Sequence, residues 1–230
     1  LIDRTAFAMA QQDVRYYLNG MLWELSNDQI RVVATDGHRL AMCTAAAELK
    51  VEEDVQVILP RKGVIELGRL LQDENAEVAV VLGANHLRAT TDEFTFTSKL
   101  VDGKFPEYER VLPRAPNKIV LADRNELKQA FSRTAILSNE KYRGVRLQLS
   151  DGSLQILANN PEQEEAEEVV SVDYQGDSLE IGFNVSYLLD VMSVLTGDSA
   201  KLSLSDPNSS ALLEESEDGD SLYVVMPMRL

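Results

Sequence analysis

Asp36 and His38 stand two positions apart in Val33-Ala34-Thr35-Asp36-Gly37-His38-Arg39-Leu40. A carboxylate beside an imidazole could exchange a proton or hold a metal ion. Either chemistry needs a third group, yet the other histidine is His86 and no Ser or Cys lies in a recognisable nucleophile setting. Two plainer readings compete. Asp36-Gly37 is a hairpin-turn signal, and a turn of this kind can also be a binding surface. A small hydrolase using Asp36 and His38 therefore stays only as the alternative. Phosphate-binding loops, dinucleotide fingerprints, zinc spacings and nucleophile elbows are missing, so the chain reads as no enzyme, with no catalytic residue, metal or cofactor.

Other residues could bind rather than react. Glu162, Glu164, Glu165, Glu167 and Glu168 form a carboxylate run without the turn glycines of a calcium loop. On an extended strand Glu162, Glu164 and Glu168 would share a face, an acidic edge for a basic partner or simply for water. Pro60-Arg61-Lys62-Gly63 opens a predicted helix with Pro60 in its first turn, and Arg69 follows two turns on. Cations at a helix start oppose its dipole, so a phosphate would relieve them, although a solvated helix start is the plain reading. Tyr16 and Tyr17 beside Gln12 and Arg15 could likewise meet nucleic acid or merely pack. The tail from Tyr223 to Leu230 reads as a strand stopped by Pro227. Its Met226, Met228 and Leu230 would form either an apolar patch or a piece of the core.

The elements that must position these residues come from a duplication. Ser26 to Asp36 can be laid on Ser150 to Asn160 at an offset of 124. The same offset lays Val55, Val57 and Leu59 on Leu179, Ile181 and Phe183, two strands of period two. It lays Val64, Ile65, Leu67 and Leu71 on Leu188, Leu189, Val191 and Leu195, an amphipathic helix in each copy, then Val78 and Val80 on Leu202 and Leu204. Before its strand pair the second copy has a short strand at Lys118–Leu121 and a helix from Arg124 to Thr134. Arg133-Thr134-Ala135 in that helix echoes Arg4-Thr5-Ala6, so the first copy is expected to lack its opening strand and part of its first helix. The boundary is expected near Pro113 and Pro116, giving copies at 1–115 and 116–230 of one α+β domain, helices on one face of antiparallel sheets.

Composition sets the limits. The chain has 230 residues, 44% of them hydrophobic, which suffices for a core. The lone Cys43 suits a reducing compartment, and no signal or spanning segment is seen, so the expected location is cytoplasmic. A net charge of −16 repels nucleic acid on average, and DNA binding needs the cations gathered on one surface.

Four separated motifs carry a resemblance: residues 34–40; Phe105-Pro106 with Arg110-Val111; Asn159-Asn160-Pro161-Glu162-Gln163-Glu164-Glu165-Ala166; and Met226-Pro227-Met228-Arg229-Leu230. In order and along the whole chain, they resemble the bacterial sliding clamp family, the beta subunit of DNA polymerase III. The family has three copies of a DNA-clamp domain per subunit, and two subunits close a homodimeric ring around duplex DNA, sheets outside and two helices per domain inside. This chain is similar to the middle domain, N-terminally truncated, and the C-terminal domain. The resemblance implies a non-catalytic processivity factor that tethers polymerase subunits, clamp loader and mismatch-repair proteins through short peptide motifs, without a membrane. It implies a peptide pocket lined by Leu18, Thr35, Gly37, His38, Arg39, Leu40, Pro106, Arg110 and Val111 of the first copy. The second copy would add Asn184, Tyr187, Ser210, Val224, Met226, Pro227, Met228, Arg229 and Leu230. It further implies sequence-independent DNA contacts at Gln12, Tyr16, Tyr17, Arg61, Lys62 and Arg69, and a dimer interface at Ile136, Leu137, Glu162, Glu164 and Glu168.

Overall fold

The computed structural model describes residues 1–73, 75–216 and 219–229. The chain divides into two compact units, Leu1–Tyr108 and Glu109–Leu230.

The first unit begins with a single helical turn, α1 (Ile2–Thr5), and two 3₁₀ turns, Ala6–Ala8 and Tyr16–Leu18. Strands β1 (Gly20–Leu25), β2 (Gln29–Thr35), β3 (Arg39–Ala46) and β4 (Val55–Pro60) follow, then helix α2 (Arg61–Leu70). Strands β5 (Ala79–Leu82), β6 (His86–Thr90) and β7 (Thr95–Lys99) complete it. Within this unit the antiparallel order is β4-β1-β2-β3 in one sheet and β5-β6-β7 in the other.

The second unit runs β8 (Lys118–Asp123), α3 (Arg124–Ile136), β9 (Gly144–Ser150), β10 (Ser153–Asn159), β11 (Glu165–Ser171), β12 (Leu179–Asn184) and α4 (Val185–Val194). Strands β13 (Ser199–Leu204), β14 (Ala211–Glu215) and β15 (Ser221–Val225) end it. Its sheets have the orders β15-β14-β13-β8 and β11-β10-β9-β12. Antiparallel sheets with helices in each unit make the fold α+β.

Helix α3 starts where Asp123 accepts the Glu126 amide at 2.7 Å, relieving one orphan donor of the first turn. Leu127, Ala130, Phe131, Thr134 and Ala135 recur at helical spacing and are buried against α4, β10 and β11. Asn184 caps α4 in the same way through the Ser186 amide at 2.9 Å. Helix α2 has no such cap. Pro60 occupies its N-cap position, one residue before the first-turn place expected of it, because its carbonyl side still belongs to β4, paired with Gly20.

The register repeats with the offset. Leu25 faces Ile30 and Val55, and 124 residues later Leu149 faces Leu154 and Leu179. Gly20 faces Pro60 as Gly144 faces Asn184. A period-two strand that slipped by one residue would turn its apolar set to water, so pairings this regular follow from burying one face. The helix echo also holds: Thr5 and Thr134 are both fully buried, and each hydroxyl donates at 2.9 Å to the carbonyl four residues before it, Leu1 and Ala130.

The offset breaks in the last strands, where Ala79 faces Thr90 but Ser203 faces Leu212, two residues short of strict repetition, and it breaks earlier at a hairpin. Thr35 faces Leu40, whereas Asn159 faces Glu165, one residue farther than strict repetition allows. Gln163, with φ of +66°, absorbs the extra residue. This corrects the expected acidic strand face: β11 starts only at Glu165, so Glu162 and Glu164 precede the strand that carries Glu168.

Candidate functional site

In the first unit the turn between β2 and β3 is closed by its own side chains. Thr35 Oγ1 accepts the Gly37 amide at 3.1 Å and donates to the Arg39 carbonyl at 2.6 Å. Asp36 Oδ1 accepts the amides of His38 at 2.9 Å and Arg39 at 3.1 Å, while Oδ2 accepts Arg39 Nε at 3.1 Å. Both carboxylate oxygens are thus engaged in holding the turn, an Asx-type role rather than acid–base work. His38 is exposed at the tip. Arg39 donates from Nη2 to the Phe7 carbonyl at 2.8 Å and lies 5.3 Å from the centre of the Phe7 ring. Leu18 and Leu40 are buried, so they support the surface from below, and Pro106 is exposed.

Beside this turn, the loop of residues 12–17 carries Gln12 at φ +56°, exposed Tyr16 and half-buried Tyr17, the two rings edge to face at 5.7 Å. Asp13 accepts Arg15 Nε at 3.0 Å and Nη2 at 2.9 Å. That fork, aided by the Arg15 amide, holds the Asp13 carboxyl down to about 2.

The three candidate cations of α2 have different fates. Arg61 is half-buried and donates from Nη1 to the Met9 carbonyl at 3.3 Å, so its charge is turned toward the backbone. Arg69 pairs with Glu66 at 3.0 Å on the same helix. Lys62 is exposed. An anionic partner would meet Lys62 first, and Arg69 after exchange of a surface pair that holds it weakly.

In the second unit, Tyr187 is half-buried in the first turn of α4, and Ser210 is half-buried just before β14. Val224 is buried in β15, which stops at Val225. Met226, Pro227 and Met228 follow half-buried, and the Met228 amide donates to the Gly182 carbonyl of β12 at 2.8 Å. Arg229 is exposed, and Leu230 lies outside the described residues. Arg110 and Val111 are exposed in the 3₁₀ turn Tyr108–Val111. Ile136, at the end of α3, is 75% exposed, and Leu137 beside it is half-buried. Glu168 is taken by Arg133, and Glu164 accepts the Asn160 side chain at 2.8 Å. Among the described residues no group of three or more His, Cys, Asp or Glu could hold a metal ion. Among the described residues no helix is long and apolar enough to cross a membrane.

The family model described as DNA polymerase III beta subunit, central domain, matches residues 1–107, and that of the C-terminal domain matches residues 109–229. The chain belongs to the DNA polymerase III beta subunit family. Among beta-subunit relatives, the Beta sliding clamps of Pseudomonas putida and Pseudomonas aeruginosa are 68% and 67% identical over 230 residues, covering all of this chain and 63% of each relative. The chain therefore spans just under two thirds of the length of the relatives it matches. The crystal structure of the DNA polymerase sliding clamp from Pseudomonas aeruginosa with ligand superposes with a TM-score of 0.98 at 67% identity, over all of this chain and 63% of that one. A sliding clamp from the same species bound to griselimycin gives 0.97 at 67% identity, over all of this chain and 62% of that one.

Several side chains of this beta-subunit chain have roles that sequence reasoning missed. Val14, at 95% exposure, is an apolar tip on the loop of residues 12–17. Tyr108 donates to Glu24 Oε2 at 2.6 Å and receives Arg31 Nη1 at 3.3 Å, anchoring the segment that follows Pro106. Asp13 and Arg15 were detectable as an acid and a base two apart, but Tyr108, Glu24 and Arg31 are 77 to 84 residues apart in the relevant pairs and gave no local signal.

Proposed function

We propose that the chain is part of a sliding clamp: a non-catalytic, cytoplasmic processivity factor that encircles duplex DNA and tethers polymerase subunits, clamp loader and mismatch-repair proteins through short peptide motifs. The observation that carries this reading is the match along the whole chain to sliding clamps at 67–68% identity. The hydrolase alternative falls, since Asp36 is committed to its own turn.

The peptide site is assigned to Leu18, Thr35, Gly37, His38, Arg39, Leu40 and Pro106 in the first unit. In the second unit, taken by itself, peptide binding is assigned to Arg110, Val111, Asn184, Tyr187, Ser210, Val224 and residues 226–230. The turn of residues 35–39 supports this, because its backbone is held by its own side chains before any ligand arrives. Preorganisation of that kind lowers the ordering cost of binding. Duplex DNA is assigned to Gln12, Tyr16, Tyr17, Arg61, Lys62 and Arg69. A chain of net charge −16 that meets phosphates through so few cations binds weakly and exchangeably, as sliding requires. In the homodimer ring, Ile136, Leu137 and Glu168 would face the partner subunit, with Glu162 and Glu164 beside them in the turn.

Calorimetry with griselimycin, and titration of labelled duplex across a salt series, test this reading. Binding of griselimycin that His38→Ala weakens, with duplex affinity falling by a factor of about ten or more between 50 and 200 mM salt, is the expected result. Failure of griselimycin to bind, or nanomolar salt-insensitive DNA binding, overturns it.

A further inference from the structure

Arg15 joins two segments to which the proposed function gives separate tasks. Its guanidinium is forked onto Asp13, through Nε to Oδ1 at 3.0 Å and Nη2 to Oδ2 at 2.9 Å, and its amide donates to the same Oδ1 at 2.8 Å. Asp13 is fixed in turn by Asn19, whose Oδ1 accepts the Asp13 amide and whose Nδ2 donates to the Asp13 carbonyl, both at 2.9 Å. The loop that carries Gln12, Tyr16 and Tyr17 is therefore braced from within.

The same guanidinium reaches the turn between β2 and β3. Arg15 Nη2 donates to the Asp36 carbonyl at 3.4 Å, and a Cβ built on Gly37 would stand 2.9 Å from Nη2 and 3.1 Å from Nη1. The Arg15 guanidinium occupies the space that a side chain on residue 37 would fill. Gly37 also sits at φ +88°, so both the crowding by Arg15 and the backbone call for glycine. His38 follows at once, exposed at the tip of the turn.

We propose that Asp13 and Arg15 are positioning residues that couple the loop of residues 12–17 to the turn of residues 35–39, so that duplex DNA on the one and a ligand on the other alter each other's affinity. The inference rests on the assignments under the proposed function. A ligand that presses on Gly37 or His38 meets Arg15, and a shift of Arg15 disturbs its fork on Asp13 and, through Asn19, the backbone of its loop. Rigid hydrogen-bonded elements shared by two sites carry such coupling, and the coupling is reciprocal.

Proton NMR at low ionic strength tests it, because His38 and His86 are the two histidines of the chain and His86 lies away on β6. In the wild-type chain a duplex oligonucleotide should shift the His38 imidazole protons and leave those of His86 in place. Saturating duplex should change griselimycin affinity by about fivefold, the lower end of ordinary coupling. In Asp13→Ala and in Arg15→Gln, griselimycin should still shift His38, while the duplex no longer does and the coupling factor falls to one. A uniform loss of affinity in either variant leaves that factor unchanged, so simple damage is separated from lost coupling. Coupling that persists in both variants, or wild-type chain that binds both probes independently, overturns the proposal and leaves the clamp reading standing. Wild-type chain that binds neither probe removes the clamp reading and the coupling with it.

Discussion

Arg133 clasps Glu168 through two hydrogen bonds, Nε to Oε1 at 2.6 Å and Nη2 to Oε2 at 2.9 Å, and so ties α3 to the edge strand β11. The guanidinium holds the Glu168 carboxyl below its usual range. A folded pKa below the unfolded one means that this pair stabilises at pH values above the unfolded carboxylate pKa and stops doing so as pH falls through the folded one. Arg133→Gln should therefore raise the Glu168 carboxyl pKa in an NMR titration and lower stability at neutral pH, a loss that shrinks as pH falls through the folded pKa. An unmoved Glu168 titration would show that the pair does not persist in solution.

Tyr108 behaves in the opposite sense. Burial first, and the Glu24 carboxylate second, push its hydroxyl up to about 12 against an ordinary 10, outweighing Arg31. Its neutral form is favoured by folding, so the associated stability is complete below pH 10 and is lost as pH rises through about 12. Alkaline difference absorbance should show a late-ionising phenol that Tyr108→Phe removes. If that variant keeps the late phase, the phase belongs to another tyrosine, Tyr174 being the candidate, since burial raises it as well.

Two glycines separate steric demand from backbone demand. A Cβ on Gly20 would meet the Leu59 carbonyl oxygen at 2.6 Å, between paired strands that cannot part without breaking β1 from β4. Gly152 has nothing within 4 Å of its would-be Cβ and only a φ of +69° against it. Gly20→Ala should cost roughly 1–3 kcal/mol in urea unfolding, as overpacking does. Gly152→Ala should cost about 1–2 kcal/mol, the penalty of a left-handed residue bearing a Cβ. A Gly20→Ala chain as stable as wild type would mean that β1 and β4 are looser than their register suggests.

The C-terminal tail gives the last prediction. Deleting residues 228–230 removes the amide that Met228 donates to Gly182, together with the Met228 side chain. Griselimycin affinity should fall roughly tenfold, equivalent to about 1.4 kcal/mol, with little change in the unfolding midpoint. Unchanged affinity would make the tail a strand end that merely closes on β12.

Much of the architecture was legible because it rests on local periodicity. Ile30 and Leu154, Val57 and Ile181, Leu67 and Val191 occupy matching places since spacings of two and 3.6 are properties of the backbone and survive duplication. The turn at Asp36-Gly37 was legible for the same reason, as its signal lies within four residues. The carboxylate run misled because one extra residue after Asn159 moved Glu162 and Glu164 out of the strand, and spacing alone does not say where a strand starts.

The sequence by itself determined the repeat, the α+β class, the cores of both units and the family. Each follows from which faces are apolar and from motifs short enough to be read in one piece. Only the tertiary structure decided what the polar side chains do. Arg61 donates to the Met9 carbonyl, Asp36 closes its own turn rather than sharing a proton with His38, and Arg15 bridges two segments 21 residues apart. A long cation takes whichever acceptor the folded backbone brings within about 3 Å, and that choice depends on packing between distant segments, which no local spacing records.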